Sequence, residues 1–388
     1  MAQDEKTFLN RRQLARSAMI GGASVLFGAG ALNAQQAPAS RGMLDAHALG
    51  ATGDGKTDDT AALQRALDAA GETSGGVFIP PGIYLTRELH VRPGTALVGI
   101  AAWNYRAPGG SVLRLASGDA TCLLNLTGAR GASIEGLSLD GRGLGKGIHG
   151  IATIRTQFAE HEDVFRIERC QVAHFTGDGA HLNFVWAFSV RHCELAFNHG
   201  DGLSLRGWDG FLLDNWFSGN ERAGFAARED SSSVTFTANR IEWNGTENML
   251  VNGGNSYQIT GNLFDRAGTC GIALRKSNIS CTQITITGNF FNRSGKLADP
   301  ESHDSAHIVM DGCEGVTCIG NAMHAYRDDK TVGTLSPSYG IIYRGLRNCV
   351  IRDNVLHNGA LRQLLLDLGG HAEGVIVGEN PGQLMAIK

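Results

Sequence analysis

Proline is scarce in this 388-residue chain, at 8 residues, and charged side chains make up only 19% of it. Those figures exclude a disordered or collagen-like polypeptide. Aromatic residues are few, at 7%, and there is no basic excess, the net charge being −4. General nucleic-acid binding needs a basic surface and is excluded with it. Beyond the first 34 residues no stretch is apolar for long enough to span a membrane as a helix. What the chain does have is glycine, 53 residues of it, which suits a fold with a turn every few residues.

Against that background one short pattern recurs. Phe165-x-Ile167-x-x-Cys170, Phe188-x-Val190-x-x-Cys193, Phe211-x-Leu213-x-x-Trp216, Val234-x-Phe236-x-x-Asn239 and Tyr257-x-Ile259-x-x-Asn262 follow one another at intervals of 23 residues. Longer intervals separate Ile284-x-Ile286-x-x-Asn289, Val316-x-Cys318-x-x-Asn321 and Cys349-x-Ile351-x-x-Asn354. A fixed period of alternating apolar residues predicts a solenoid of stacked strands. Residues one period apart then become neighbours about 4.8 Å apart, and columns of side chains can be read from the sequence.

The first residues form a separate segment. Arg11-Arg12 precede an apolar, Ala/Gly-rich run from Met19 to Leu32. The run is too short to span a membrane and resembles a secretory signal, its paired arginines resembling a twin-arginine export signal. Residues 1–37 are therefore expected to be export signal and linker, with cleavage between Ala31 and Ala39 leaving a periplasmic or secreted protein. Residues 38–388 are expected to form one domain, with 43–100 as its N-terminal cap and 131–380 as coils. Eight cysteines in an exported chain suggest disulfides. Cys170 and Cys193, however, hold the inward position that Asn holds in later repeats, which predicts small buried side chains. Cys281 and Cys313 are the one pair expected to meet in a turn.

Residues 43–100 read differently. Thr57-Asp58-Asp59-Thr60 is an N-cap cluster before Ala61 to Ala70, and Gly71 is expected to stop that helix. Val77-x-Ile79-Pro80-x-Gly82-x-Tyr84 predicts strand, turn and strand. A short amphipathic helix laid across a solenoid end blocks its unpaired strand edges. The run Gly50-Ala51-Thr52-Gly53-Asp54-Gly55-Lys56-Thr57-Asp58-Asp59-Thr60, the helix with Gln64 and the strand pair resemble the N-terminal signature of the rhamnogalacturonase/epimerase-like pectate lyase superfamily. The resemblance implies a right-handed parallel β-helix of about 10 coils. It also implies polysaccharide chemistry, the group including lyases, hydrolases, uronan epimerases and phage-tail depolymerases, and so a broad substrate class rather than one reaction. The repeat asparagines Asn239, Asn262, Asn289, Asn321 and Asn354 resemble the stacked turn asparagines of that fold and are read as structural.

Alternation in the strand after each turn puts Leu203, Leu205, Phe225, Ala227, Ile272, Leu274, Ile341 and Tyr343 inside. The last outward position gives the column Asn183, Arg206, Arg228, Asn252, Arg275, Asp311, Arg344 and Asp367. The resemblance implies that this face holds the substrate groove. Its arginines suit the carboxylates of a uronic-acid polymer, because guanidinium binds carboxylate bidentately; a solvated ladder of ion pairs is the plainer alternative. The turns before these strands align Asp178 with Asp201. Two such carboxylates could share a proton as acid and base or hold Ca²⁺ between them, and Asp-Gly is also ordinary turn chemistry. His199-Gly200-Asp201-Gly202-Leu203-Ser204-Leu205 is similar to the catalytic segment of polygalacturonases, with Ala223 on the next coil where paired aspartates would stand.

His181 is the expected base for removing the proton alpha to a uronate carboxyl, with Arg206 and Arg228 supplying positive charge and Asp178 or Glu229 orienting them. Trp103, Tyr105, Trp186 and above all Trp208 are candidate sugar platforms. Two long turns, 292–305 and 324–338, are expected to wall the groove. Three readings follow: a lyase that cleaves an acidic polysaccharide by β-elimination, a hydrolase using Asp178 and Asp201, or a glycan-binding protein on the same scaffold. No metal or cofactor is required by any motif.

Overall fold

The computed structural model describes residues 42–327 and 332–386. The expected export segment, with Arg11-Arg12, lies outside the described residues, as do Asp328 and Lys330 of the second long turn. Alternating apolar residues form strands that stack in parallel, one above the next, around a common core. The inward column Leu182, Leu205, Ala227, Val251, Leu274, Met310 and Tyr343 is in register from coil to coil. Every member of it is buried. One expected repeat is out of step: the coil there is a residue shorter, so Leu212 and Asn215 take the inward positions expected for Leu213 and Trp216, and Phe211 is exposed.

Each coil has three faces. The strand Ala180–Arg191 supplies two of them, turning a corner where Phe184 and Ala187 take positive φ; Glu194–Ala196 supplies the third. Leu203–Leu213, Phe225–Thr237 and Met249–Thr260 repeat the arrangement. First and second faces belong to one 22-stranded sheet, and the third is an 11-stranded sheet. This is the right-handed parallel β-helix expected from the repeats and the resemblance.

The turn from second to third face is held by an asparagine ladder. Asn215, Asn239, Asn262, Asn289, Asn321 and Asn354 each donate from Nδ2 to the next Asn Oδ1 at 2.8–3.1 Å, ending on Asn380. Buried amides satisfied in this way cost little and fix the register. Cys170 and Cys193 continue the column upward, Cys193 Sγ accepting the Cys170 N–H at 3.4 Å. A second ladder, Asn198 to Asn220 to Asn244, holds the turn before the first face. All eight cysteines are buried and free; Cys281 and Cys313 are register partners with separate thiols.

The cap helix runs Thr60–Thr73, two residues past its expected stop, and buries Ala62, Leu63, Ala66, Leu67 and Ala70. Gly71 is needed for space, since a Cβ there would stand 2.6 Å from Arg92 Cβ; Ser74, at φ 52, ends the helix. Asp59 is the N-cap residue but makes no side-chain cap bond: Asp58 accepts the Thr60 N–H at 3.0 Å, while Asp59 holds the Thr52 and Gly53 N–H groups. Asp367 is one residue out of its expected column: it pairs in register with Tyr343 and bonds His371.

Candidate functional site: a histidine–aspartate pair on the first face

The stacking of Gly-rich turns brings three residues from successive coils together: His149, Asp178 and Asp201. Their turns approach closely only because glycines flank them. A Cβ at Gly177 would come within 2.7 Å of His149 Nδ1, and one at Gly200 would collide with Asp178 Oδ1. Asp178 sits at the centre, 6% exposed. Its Oδ1 accepts the Asp201 backbone N–H at 2.8 Å and its Oδ2 meets His181 Nδ1 at 2.8 Å. Burial works to raise the Asp178 carboxyl, but the His181 hydrogen bond, His149 and the Asp201 N–H outweigh it and hold it below the ordinary carboxylate value. An ionised Asp178 makes His181 the donor at Nδ1. The His181 Nε2 lone pair is thereby left for chemistry on a ring that is 35% exposed.

His149 is in the opposite tautomer. The backbone N–H of Asp178 donates to its Nδ1 at 2.9 Å, so its proton resides on Nε2. Nδ1 also lies 3.6 Å from Asp178 Oδ2, an approach that is not an ion pair in this tautomer. Burial depresses the His149 pKa, the pull of Asp178 notwithstanding, and keeps the ring neutral near pH 7. The two imidazoles stack with centroids 4.4 Å apart and 22° between planes. His149, Asp178 and His181 bring one ligating atom each within 4.8 Å of one another, a donor set that by type suits a metal. Here the Nδ1 atoms and Oδ2 are engaged with one another and with the Asp178 N–H.

The expected acid–base pair of Asp178 and Asp201 is not formed. Asp201 is sealed, at 0% exposure, and its carboxylate is taken by the Arg228 guanidinium and the Ala223 N–H. The bond to Asp201 raises the Arg228 pKa against the effect of burial. Arg228 also reaches Ser204 Oγ at 3.4 Å, one coil below His181 in register. The expected Arg206–Arg228 clamp separates in the same way: Arg206 lies over the Phe184 ring at 4.2 Å and faces Glu229 at 3.8 Å. Two like charges on adjacent coils thus each find a separate partner.

The remaining outward positions hold ion pairs and loop contacts. Arg344 grips Asp311 at 2.7 and 2.6 Å, and Arg275 pairs with Asp304 at 2.7 Å. Arg275, His303, Asp311 and Arg344 line a pocket below the histidines, so the first long turn does border the strip. Asn252 stands in register between Arg228 and Arg275. Asn183 donates to the Arg155 carbonyl at 3.0 Å and so anchors a loop. That loop, 154–164, was not read from the sequence. Arg155 holds buried Asp163 at 2.6 and 3.1 Å, and Phe158 stacks on Trp208 at 4.0 Å. One face of Trp208 is therefore occupied, contrary to its expected role as an open platform. Tyr105 lies on the third face, stacked on Trp216 at 4.7 Å. His307 is buried and bonds Ser294.

His149 was missed too, although its turn precedes that of Asp178. The interval there is 29 residues, not 23, so the column shifts out of step; the Gly that follows each of the three residues, at 150, 179 and 202, was the available signal.

Residues 44–108 match the family described as rhamnogalacturonase A/epimerase, pectate lyase-like, and residues 156–291 match the right handed beta helix region. Among solved structures the fold is similar to the A-module of the Azotobacter vinelandii mannuronan C-5 epimerase AlgE4. That likeness has TM-score 0.63 at 22% identity and covers 88% of this chain and 97% of the other. DFA-IIIase from Arthrobacter chlorophenolicus A6 is similar at TM-score 0.63 and 15% identity, over 90% and 100%. PfbA, a surface adhesin of Streptococcus pneumoniae, is similar at TM-score 0.62 and 14% identity, over 88% and 92%. A curated relative, the non-secreted LysM effector LysM19 of Penicillium expansum, is 44% identical over 63 residues. That match spans 16% of this chain and 5% of the relative. These matches place the likeness to the rhamnogalacturonase A/epimerase, pectate lyase-like family on residues 44–108, and the chain has the fold of right-handed parallel β-helix proteins.

Proposed function

We propose that the protein acts on an acidic, uronate-containing polysaccharide and breaks it by β-elimination. The observation that carries this reading is the His181 imidazole, held by an ionised Asp178 in the tautomer that frees Nε2 as a base. A proton alpha to a carboxylate is weakly acidic, so its removal needs an oriented base and positive charge on the developing enolate. Arg228, bonded to Asp201 beside Ser204, supplies that charge one coil away. The name of one similar fold, a mannuronan C-5 epimerase module, supports the substrate class.

Uronate C-5 epimerisation is the second reading. It begins with the same proton removal, and similar folds include two mannuronan C-5 epimerase modules. The hydrolase reading loses its acid–base pair with the sealing of Asp201. Incubating the protein with a panel of polyuronates tests the proposal. A lyase releases unsaturated, ultraviolet-absorbing ends; an epimerase exchanges the C-5 proton with solvent without shortening the chain. Reducing ends without unsaturation would overturn both readings.

A further inference from the structure

The acid–base groups of the site are not arranged around the sugar but stacked together. His181 and His149 are face to face at 4.4 Å, fixed in opposite tautomers by the two ends of one residue: the Asp178 carboxylate accepts the Nδ1–H of His181, and the Asp178 N–H donates to Nδ1 of His149. The coils below carry guanidinium groups instead. Arg228 and Arg222 both face Asp201, and Arg206 lies over Phe184; none of them gives up a proton near neutral pH. Proton removal and proton delivery therefore have one address.

Building on the lyase reading, we infer that the elimination is syn, and that the substrate is a polymer of D-glucuronate or D-mannuronate rather than galacturonate, guluronate or iduronate. The stereochemistry follows from the sugar. In D-gluco and D-manno uronates H-5 and the glycosidic O-4 project from the same face of the ring. In D-galacto, L-gulo and L-ido uronates they project from opposite faces, so a base and an acid on opposite walls would be needed. Neighbouring ring substituents are closer together than the two imidazole centroids, so a single stacked pair reaches both.

The step balances without a co-reactant. His181 Nε2 takes the C-5 proton, and the C5–H electrons form the C4–C5 double bond as the C4–O bond breaks. The imidazolium, held by Asp178, returns the proton to the departing oxygen, leaving an unsaturated uronate end and a free hydroxyl. His149 Nε2–H hydrogen-bonds that oxygen as charge develops on it. A neutral imidazole is suited to this because it donates without competing for the proton.

The test uses the full chain on four polymers: mannuronan, glucuronan, polyguluronate and polygalacturonate, followed by ultraviolet absorbance. Unsaturated ends from mannuronan or glucuronan alone are expected. The same substrates should lose about 10²-fold or more in kcat with His181→Ala and about tenfold with His149→Gln, which keeps an acceptor for the Asp178 N–H. Unsaturated ends from polyguluronate or polygalacturonate would overturn the syn assignment while leaving the lyase reading standing. No unsaturated ends from any of the four would overturn the lyase reading itself. Wild-type kcat in His149→Gln, with its fold checked by circular dichroism, would remove His149 from the mechanism.

Discussion

One coil contains two buried carboxyl groups with opposite fates. Asp178 precedes the first face and is 6% exposed; Glu194 lies on the third face and is 5% exposed. Two donors, His181 Nδ1–H and the Asp201 N–H, hold the Asp178 carboxylate, and its pKa is lowered against the effect of burial. Burial pushes Glu194 up to about 7, with only Gln171 and His174 opposing it, and its Oε1 has no hydrogen-bond partner among the described residues. Residues on either side of it are bridged by the segment around Tyr105: Asn104 O accepts from Gln171 at 2.9 Å, and Tyr105 stacks on Trp216. Burial alone does not make a catalytic carboxylate. Donors decide its charge, and the absence of a covering strap decides whether the neighbour it orients can meet a substrate.

The largest expected effect tests the Asp178 side of that contrast. Asp178→Asn keeps an oxygen for the Asp201 N–H but presents an NH₂ to His181 Nδ1, which drives the His181 proton onto Nε2. Turnover should fall about 10²–10⁴-fold, with KM little changed. Undiminished turnover, in the polyuronate assay, would show that the tautomer is irrelevant.

Glu194 sharpens the other side. Its folded pKa lies above the ordinary 4.5, so between pH 4.5 and about 7 the folded state keeps a proton that the unfolded state has released. Stability is lost as pH rises through that window, by roughly 3 kcal/mol in all. Urea unfolding of Glu194→Gln at pH 5 and pH 8 should show that loss abolished. An equal drop in variant and parent would place the cause elsewhere.

His307 tests the same principle with the sign reversed. Burial takes its pKa down to about 3 from 6.5, so the unfolded chain binds the proton first as pH falls below 6.5. Stability should decline toward pH 3 by about 1.4 kcal/mol per unit from this residue. His307→Gln, followed by thermal unfolding across that range, should flatten the slope. The smallest effect belongs to Arg344, whose guanidinium is 57% exposed and already paired with Asp311. Arg344→Ala should raise KM less than about tenfold and leave kcat alone; a fall in kcat would extend the active strip down the groove.

Much of this was legible from residue spacing. The 23-residue period gave most of the coils, inward columns and buried asparagines and the cysteines that replace them, because a stacked strand repeats its side-chain direction with every turn; it misplaced one repeat, where Leu212 and Asn215 rather than Leu213 and Trp216 point inward and Phe211 is exposed. Asp178, His181, Asp201 and Arg228, expected on one face, are linked by one set of hydrogen bonds. Partner choice was not legible. Within the outward column Arg344 pairs with Asp311, while Asp367 falls one residue out of it and bonds His371. Trp208 was read as open and is covered by Phe158, which arrives from a loop outside the period.

The chain's own periodicity determined which side chains line a column and which are buried, since alternation and coil length are local properties. Only the folded molecule decided which carboxylate stays charged, which arginine it binds and which histidine nitrogen keeps its proton. Those outcomes depend on hydrogen bonds a few ångströms long between coils of unequal length, and a shift of one residue exchanges every partner.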